Sequence, residues 1–291
     1  MNLDRRQLVG ALAVLGAMPR LSLAQQTQRL LPLDTPGLDH LDVIVADVEK
    51  TTRFYMGLLR TTLHAQPFQG GQRYFVLLGP LPENRAVGYL AIGASRGRGN
   101  YIGHFCTSVV KWRENTQAIF AQMKEQFRAQ GFGEFPGSTG FGGIFNDPDG
   151  IEIQFLPSPD TLVTAAVPSD LVPAMQGLIT PERVDSALLR VSDLKKALHY
   201  YRTLYGKEHR SNAHGAEFAF RNGSRLLLEE NAYVYGQGKV QIARFGLRVK
   251  PFDRAAAADA ITRLGGRVLG DDGKALRLSD IDGIELELVS G

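Results

Sequence analysis

The sequence predicts an α+β protein made of two tandem homologous domains, each assembled from a pair of βαβββ units. Three observations predict it. A segment running from Gly37 to Asp47, followed by Phe54 and Tyr55, returns as Arg183 to Asp193 followed by Tyr200 and Tyr201. Asp39 thereby falls on Asp185, Asp47 on Asp193 and Tyr55 on Tyr201. A closing segment at 146–155, built around Asp147, Asp149 and Gly150, returns at 279–288 around Asp280, Asp282 and Gly283. Within each copy the strand–helix–strand order starts over halfway along. A repeat that carries both its opening and its closing signal marks two homologous domains. The copies differ where chemistry would sit, because His40 in the first is Ser186 in the second.

The domains occupy 37–156 and 182–291, preceded by a leader at 1–24 and a polar, proline-ended tether at 25–36. The apolar run at 8–18 is shorter than the roughly 20 residues a bilayer span needs. It follows Arg5 and Arg6 and precedes the small residues Ser22 and Ala24, the pattern of a cleaved signal peptide. Asp4-Arg5-Arg6 with Leu8 and Val9 resembles a twin-arginine signal, and Arg20 before the cleavage site suits that route. The expected location is therefore periplasmic or secreted, with no integral membrane segment after leader removal. Loss of Arg5, Arg6, Arg20 and Asp4 lowers the formal charge from +3 to about +1. That leaves no electrostatic case for nucleic acid or an anionic membrane. The single cysteine, Cys106, has no internal disulfide partner, so the cores must hold the domains together.

The opening strand at 38–45 is rich in β-branched residues, and Asp47 is a good N-cap for a helix through Leu59. Short strands follow at 61–65, 73–78 and 87–92, broken at Gly70-Gly71 and at Gly79-Pro80. The cycle restarts with a strand at 104–109, a helix at 112–130, and strands at 143–145 and 151–156. Residues 157–181 carry prolines 157, 159, 168, 173 and 181 and no long periodic segment; they form a linker with one helical turn near Leu171. The second domain repeats the plan, with strands at 184–191 and 241–249, a helix from Asp193, and another ending before Gly265-Gly266.

Paired βαβββ units, an opening strand ending in Val45-Ala46-Asp47, and a closing Asp147-Pro148-Asp149-Gly150 before an apolar strand together resemble the vicinal oxygen chelate (VOC) superfamily. That group includes glyoxalase I, fosfomycin-resistance thiol transferases, bleomycin-resistance proteins and extradiol ring-cleaving dioxygenases. The resemblance covers both domains, because Asp280-Ile281-Asp282-Gly283 repeats the closing turn in degraded form. It implies that each domain is an eight-stranded open cup of sheet. It does not fix the reaction, since the superfamily spans isomerases, transferases, dioxygenases and metal-free binders.

In that family the metal ligands come from the first strand, the fifth strand and the eighth strand, the last lying four residues after the closing glycine. The resemblance therefore implies His40, His104 and Gln154 as ligands of a divalent ion (Fe2+, Mn2+, Ni2+ or Zn2+). Two imidazoles and one oxygen leave open positions for a small-molecule substrate. Most metal-binding relatives of this arrangement carry glutamate third, whereas glyoxalase I uses a glutamine among its ligands. Glu152 lies two residues from Gln154, on the same face by strand alternation. It is the alternative third ligand, or a general base beside a bound substrate. The second copy presents Ser186, Arg244 and Glu287 at these positions, which is no first-row metal site. Arg244 and Glu287 are expected to form an ion pair in a structural domain. Extradiol dioxygenases divide the labour in the same way, with the opposite domain active.

Cys106, two residues beyond His104, is either a soft fourth ligand, a reactive thiol, or the inert packing usual for a buried strand cysteine. The glycine-rich stretch at 137–143 lacks the lysine and helix of a phosphate loop and reads as a lip before a strand. Arg96, Arg98 and Tyr101 offer an anionic or aromatic substrate a contact, or form a solvated loop. Three functions fit. One is a divalent-metal enzyme, of dioxygenase or of glyoxalase or lyase type, acting on a small molecule with adjacent oxygens. Another is a metal-free protein that sequesters a planar small molecule, as bleomycin-resistance proteins do. The third is a structural partner. A homodimer is compatible with each.

Overall fold

Asp47 shows how the sequence sets the fold locally. It closes strand β1 (Leu38–Val45) and its carboxylate accepts from the Lys50 backbone N–H at 3.0 Å, starting helix α1 (Val48–Leu58). Asp193 does the same through Lys196 N–H at 2.9 Å, between β8 (Pro181–Val191) and α3 (Leu194–Tyr205). The computed structural model describes residues 29–79, 88–132, 143–157, 165–172, 177–231, 242–250 and 252–291. The leader, residues 25–28 and the glycine-rich stretch up to 142 lie outside them.

The first domain continues through β2 (Leu63–Phe68), β3 (Gly71–Leu77) and β4 (Tyr89–Ala94). Its second unit is β5 (Tyr101–Val109), α2 (Trp112–Ala129), β6 (Ile144–Asn146) and β7 (Glu152–Pro157). Strands β2 and β3 run further toward each other than expected, because Gln69 (φ 49) and Gly70 (φ 83) close a tight left-handed turn between them. The second domain adds β9 (Arg210–Ser211), β10 (Gly215–Ala219), β11 (Arg225–Glu230), β12 (Ile242–Val249), α4 (Arg254–Arg263), β13 (Arg267–Asp271), β14 (Ala275–Ser279) and β15 (Glu285–Ser290). Each domain makes one sheet, in the orders β2-β3-β4-β1-β5-β7-β6 and β13-β14-β15-β12-β8-β11-β10-β9. The expected eight strands are present in the second. The first has seven among the described residues.

The segments on either side of the first domain are pinned down. Leu31 and Leu33 are buried, Leu33 N–H donates to Leu204 O at 2.7 Å, and Asn222 N–H donates to Pro36 O at 2.9 Å. The end of the expected tether therefore packs on the second domain. In the linker, Ser169–Leu171 forms the expected helical turn with Leu171 buried, and Arg60 N–H donates to Ile179 O at 2.7 Å.

The repeated motifs meet crosswise. In each closing turn one aspartate oxygen accepts two backbone N–H groups: Asp147 from Asp149 and Ile151, both at 2.8 Å, and Asp280 from Asp282 and Ile284, both at 2.9 Å. The other oxygen takes a tyrosine hydroxyl from the opposite domain, Tyr201 to Asp147 at 2.8 Å and Tyr55 to Asp280 at 2.9 Å. Around these bonds Phe127 stacks on Tyr200 at 4.4 Å, and Phe54 leaves no room for a side chain at Gly266. Residues Leu31 to Gly291 consequently form one unit.

Burial pushes the Asp147 carboxyl up to about 6, against the pull of the Ile151 N–H and the Tyr201 hydroxyl toward the ionised form. Raised above its unfolded value, this group favours the folded state at low pH and loses that contribution as pH rises to about 6. The tyrosine donor matters most where the carboxylate is ionised. Tyr201→Phe should therefore cost about 1.5–3 kcal/mol at pH 7 and less at pH 5, measured by urea unfolding at both pH values. An equal cost at both would contradict the assignment.

Candidate metal centre

Strand β1 pairs on one side with β4, in parallel, and on the other with β5, antiparallel. The β1–β5 register slips twice. Leu38 faces Thr107 while Leu41 faces Phe105, so one extra residue of β1 is accommodated at Asp39-His40. Asp42 faces His104 while Val43 faces Ile102, which places the second irregularity at Gly103. Such bulges re-aim side chains. The first lets the neighbours Asp39 and His40 meet side by side, where a regular strand would send them to opposite faces. The second brings His104 beside Asp42 at a glycine where an added Cβ would lie 3.0 Å from Asp42 Oδ2.

His40 Nε2 and His104 Nε2 lie 3.2 Å apart, and Gln154 Oε1 lies 3.1 Å from His104 Nε2. Each ring is held from behind. Asp39 Oδ1 is 2.9 Å from His40 Nδ1, and Asp42 Oδ2 is 3.3 Å from His104 Nδ1. Asp42 is itself gripped by Arg73 on β3. Tyr89 lies flat against the His40 ring at 4.2 Å. The three converging residues are buried, with His40 2% and Gln154 9% exposed.

Burial lowers the His40 pKa despite the opposing pull of Asp39, so its imidazole is neutral at pH 7. Burial opposes ionisation of Asp42, but the His104 ring and the Arg73 guanidinium outweigh it and hold the carboxyl well below the usual carboxylate range. A carboxylate accepting the Nδ1 proton leaves the Nε2 lone pair free to bind a metal. Two such lone pairs and an amide oxygen therefore face one point. Ligand atoms about 2.1 Å from a shared ion stand about 3.0–3.4 Å apart, and the observed separations fall in that range. The donor set fits a divalent cation. The donor atoms are two imidazole nitrogens and an amide oxygen, and the carboxylates of Asp39 and Asp42 stand behind the two rings.

Of the residues singled out in the sequence, His40, His104 and Gln154 come together and Glu152 does not join them as a ligand. Glu152 stands in register with His104 on the adjacent strand but is exposed, with no hydrogen bond or ion pair from its side chain among the described residues. Cys106 is fully buried, and its sulfur lies within 4.8 Å of ligating atoms of Asp39 and His40. Arg96 donates to Gln69 O at 2.8 Å, and Arg98 lies over the Tyr101 ring at 5.8 Å. Asp39, Asp42, Arg73 and Tyr89 were missed. The signal for the first two was the Asp-His-Leu-Asp pattern at 39–42. Nothing local points to Arg73 or Tyr89.

The second domain keeps the bulge and loses the chemistry. Its register slips between Ser186 and Val184, the counterpart of the slip at Asp39-His40. There Asp185 is neutralised by Arg225 at 2.6 Å and Arg248 at 2.5 Å, and Arg244 pairs with Glu287 at 2.9 Å as expected.

Residues 37–155 match the model of the Glyoxalase/Bleomycin resistance protein/Dioxygenase superfamily. No curated protein sequence matches the chain. Among solved structures it is similar to the 2,3-dioxygenase LapB from Pseudomonas sp. KL28, with a TM-score of 0.61 and 14% identity, covering 89% of this chain and 93% of that one. It is similar to the Mn(II)-bound glyoxalase from Novosphingobium aromaticivorans, with a TM-score of 0.61 and 10% identity over 89% and 83% of the two chains. Homoprotocatechuate 2,3-dioxygenase from Arthrobacter globiformis gives 0.58 and 15% over 91% and 82%. No helix among the described residues is long and apolar enough to cross a membrane. Residues 37–155 are thus similar to the glyoxalase, bleomycin-resistance and dioxygenase superfamily, and the chain shares the fold of these solved structures over 89% of its length.

Proposed function

We propose that this is an exported, divalent-metal-dependent enzyme of dioxygenase or glyoxalase or lyase type, acting on a small molecule with two neighbouring oxygens. The observation that carries the reading is the convergence of His40 Nε2, His104 Nε2 and Gln154 Oε1, with each imidazole backed by its own carboxylate. Their spacing of 3.1–3.2 Å along the cluster is that of ligand atoms around one cation.

When bound, the metal acts as a Lewis acid that holds and polarises the substrate oxygens. His40, His104 and Gln154 would hold it. Asp39 and Asp42 fix the ring tautomers and orientations and strengthen the imidazoles as donors. Arg73 keeps Asp42 ionised and in place. In this reading Glu152, exposed and in register with His104 on the adjacent strand, serves as the general base toward a substrate hydroxyl or carbon acid. The second domain, with Ser186, Arg244 and Glu287 at the matching positions, serves as scaffold.

Metal content tests this. His40→Ala and His104→Ala should each abolish retention of Mn2+ or Zn2+ after desalting, and Asp42→Asn should weaken affinity by about 10–100-fold. Arg244→Ala should retain metal as wild type does. Equal metal in the histidine variants would end the metalloenzyme reading.

Export is proposed from the leader at 1–24, with a mature chain beginning near Gln25. Replacing Arg5 and Arg6 by lysine should strongly reduce the periplasmic fraction, followed by immunoblot of cell fractions. Unchanged export would instead indicate the general secretory route.

A further inference from the structure

A second site lies at the junction of the two domains. A cavity of about 170 Å³ opens between the first residues of β5, the end of β8, and the starts of β12 and β15. Asn100, Tyr101 and Ile102 line it from the first domain; Arg190, Ala243 and Ile284 face them from the second. None of the converging residues of the metal centre borders it.

Arg190 is the informative residue. Three other arginines of the second sheet are matched to carboxylates, Arg225 and Arg248 to Asp185 and Arg244 to Glu287, whereas Arg183, on the same strand as Arg190 but not bordering the cavity, also has an Nε without a partner. Glu285, which also borders the cavity, is 3.7 Å from Arg277. The Arg190 side chain makes no hydrogen bond or ion pair among the described residues, and its Nε is shut off from solvent without a partner. A guanidinium that is partly desolvated and unmatched is costly, and an anion entering the cavity would relieve that cost. Besides the amide of Asn100 and the backbone of Gly283, the lining offers the apolar side chains of Tyr101, Ile102, Ala243 and Ile284. Arg98, stacked over Tyr101, adds positive charge beside it.

We propose that this cavity binds a small carboxylate with a compact apolar body, its carboxylate on Arg190 and its body between Tyr101, Ile102 and Ile284. The site is independent of the metal centre and needs no metal. Because its walls come from both domains, the ligand binds only the assembled chain and stabilises it by mass action.

The probe is benzoate, with neutral benzamide as its isostere, added at constant ionic strength to the full chain in excess chelator. Thermal unfolding and calorimetric titration give the readouts. Benzoate should raise the unfolding midpoint saturably and benzamide should not. Arg190→Met should bind benzoate at least about tenfold more weakly while unfolding no lower than wild type without ligand, since it removes an unmatched charge. Ala243→Leu, which fills the cavity and leaves Arg190 in place, should also abolish the response. His40→Ala should preserve it, placing binding away from the imidazoles. Equal effects of benzamide and benzoate, undiminished binding by Arg190→Met or Ala243→Leu, or loss of the response in His40→Ala would each overturn the proposal.

Discussion

The two crossed hydrogen bonds between tyrosine and aspartate organise everything else. Tyr201 of the second domain donates to Asp147, whose other oxygen ties down the turn that leads into β7; Tyr55 of the first domain does the same for Asp280 and β15. Strand β7 carries Gln154. The second domain therefore sets the entry of the strand that delivers the third donor of the metal centre, without contributing a donor itself. Ser192 reinforces this by giving Asp149 two hydrogen bonds, from N–H at 2.8 Å and from Oγ at 2.6 Å. A domain that looks vestigial by its lost histidine is a brace for the other domain's site.

Within the first domain the centre depends on irregular pairing. A regular β1–β5 ladder would turn Asp39 away from His40, and a side chain at Gly103 would crowd Asp42. The resulting carboxylate–imidazole pairs answer the difficulty that a neutral Gln154 raises. A glutamate at that position would neutralise part of the ion's charge directly. In the proposed centre two buried carboxylates would do so through the rings, and Arg73 helps hold one of them well below the usual carboxylate range. The second domain kept the bulge and spent its aspartate on two arginines instead, so backbone geometry alone does not make a metal site.

Much of this was legible in the sequence because it is local or repeated. Asp47 and Asp193 cap helices through the next turn of chain, and the Asp-x-Asp-Gly turns close on their own backbone. The repeat drew attention to Tyr55, Tyr201, Asp147 and Asp280, yet it could not show that each tyrosine bonds the other copy's aspartate. A repeat marks positions and says nothing about which copy they touch. The pairing of Asp39 and Asp42 with the imidazoles depended on register slips that alternation does not foretell. Arg73 reaches Asp42 from a strand two places away in the sheet. The placement of Leu31 and Leu33 against the second domain was hidden for the same reason, since short apolar residues in a polar segment reveal burial only once their partner is known.

The central claim is that three named atoms share one divalent cation. A crystal of the protein grown or soaked with Mn2+ and recorded for anomalous scattering tests it directly. The account predicts a single strong peak about 2.1 Å from each of His40 Nε2, His104 Nε2 and Gln154 Oε1, with Asp39 and Asp42 still on the Nδ1 atoms. A peak coordinated by Glu152 or Cys106 in place of Gln154, or no peak between the imidazoles at saturating Mn2+, would contradict it.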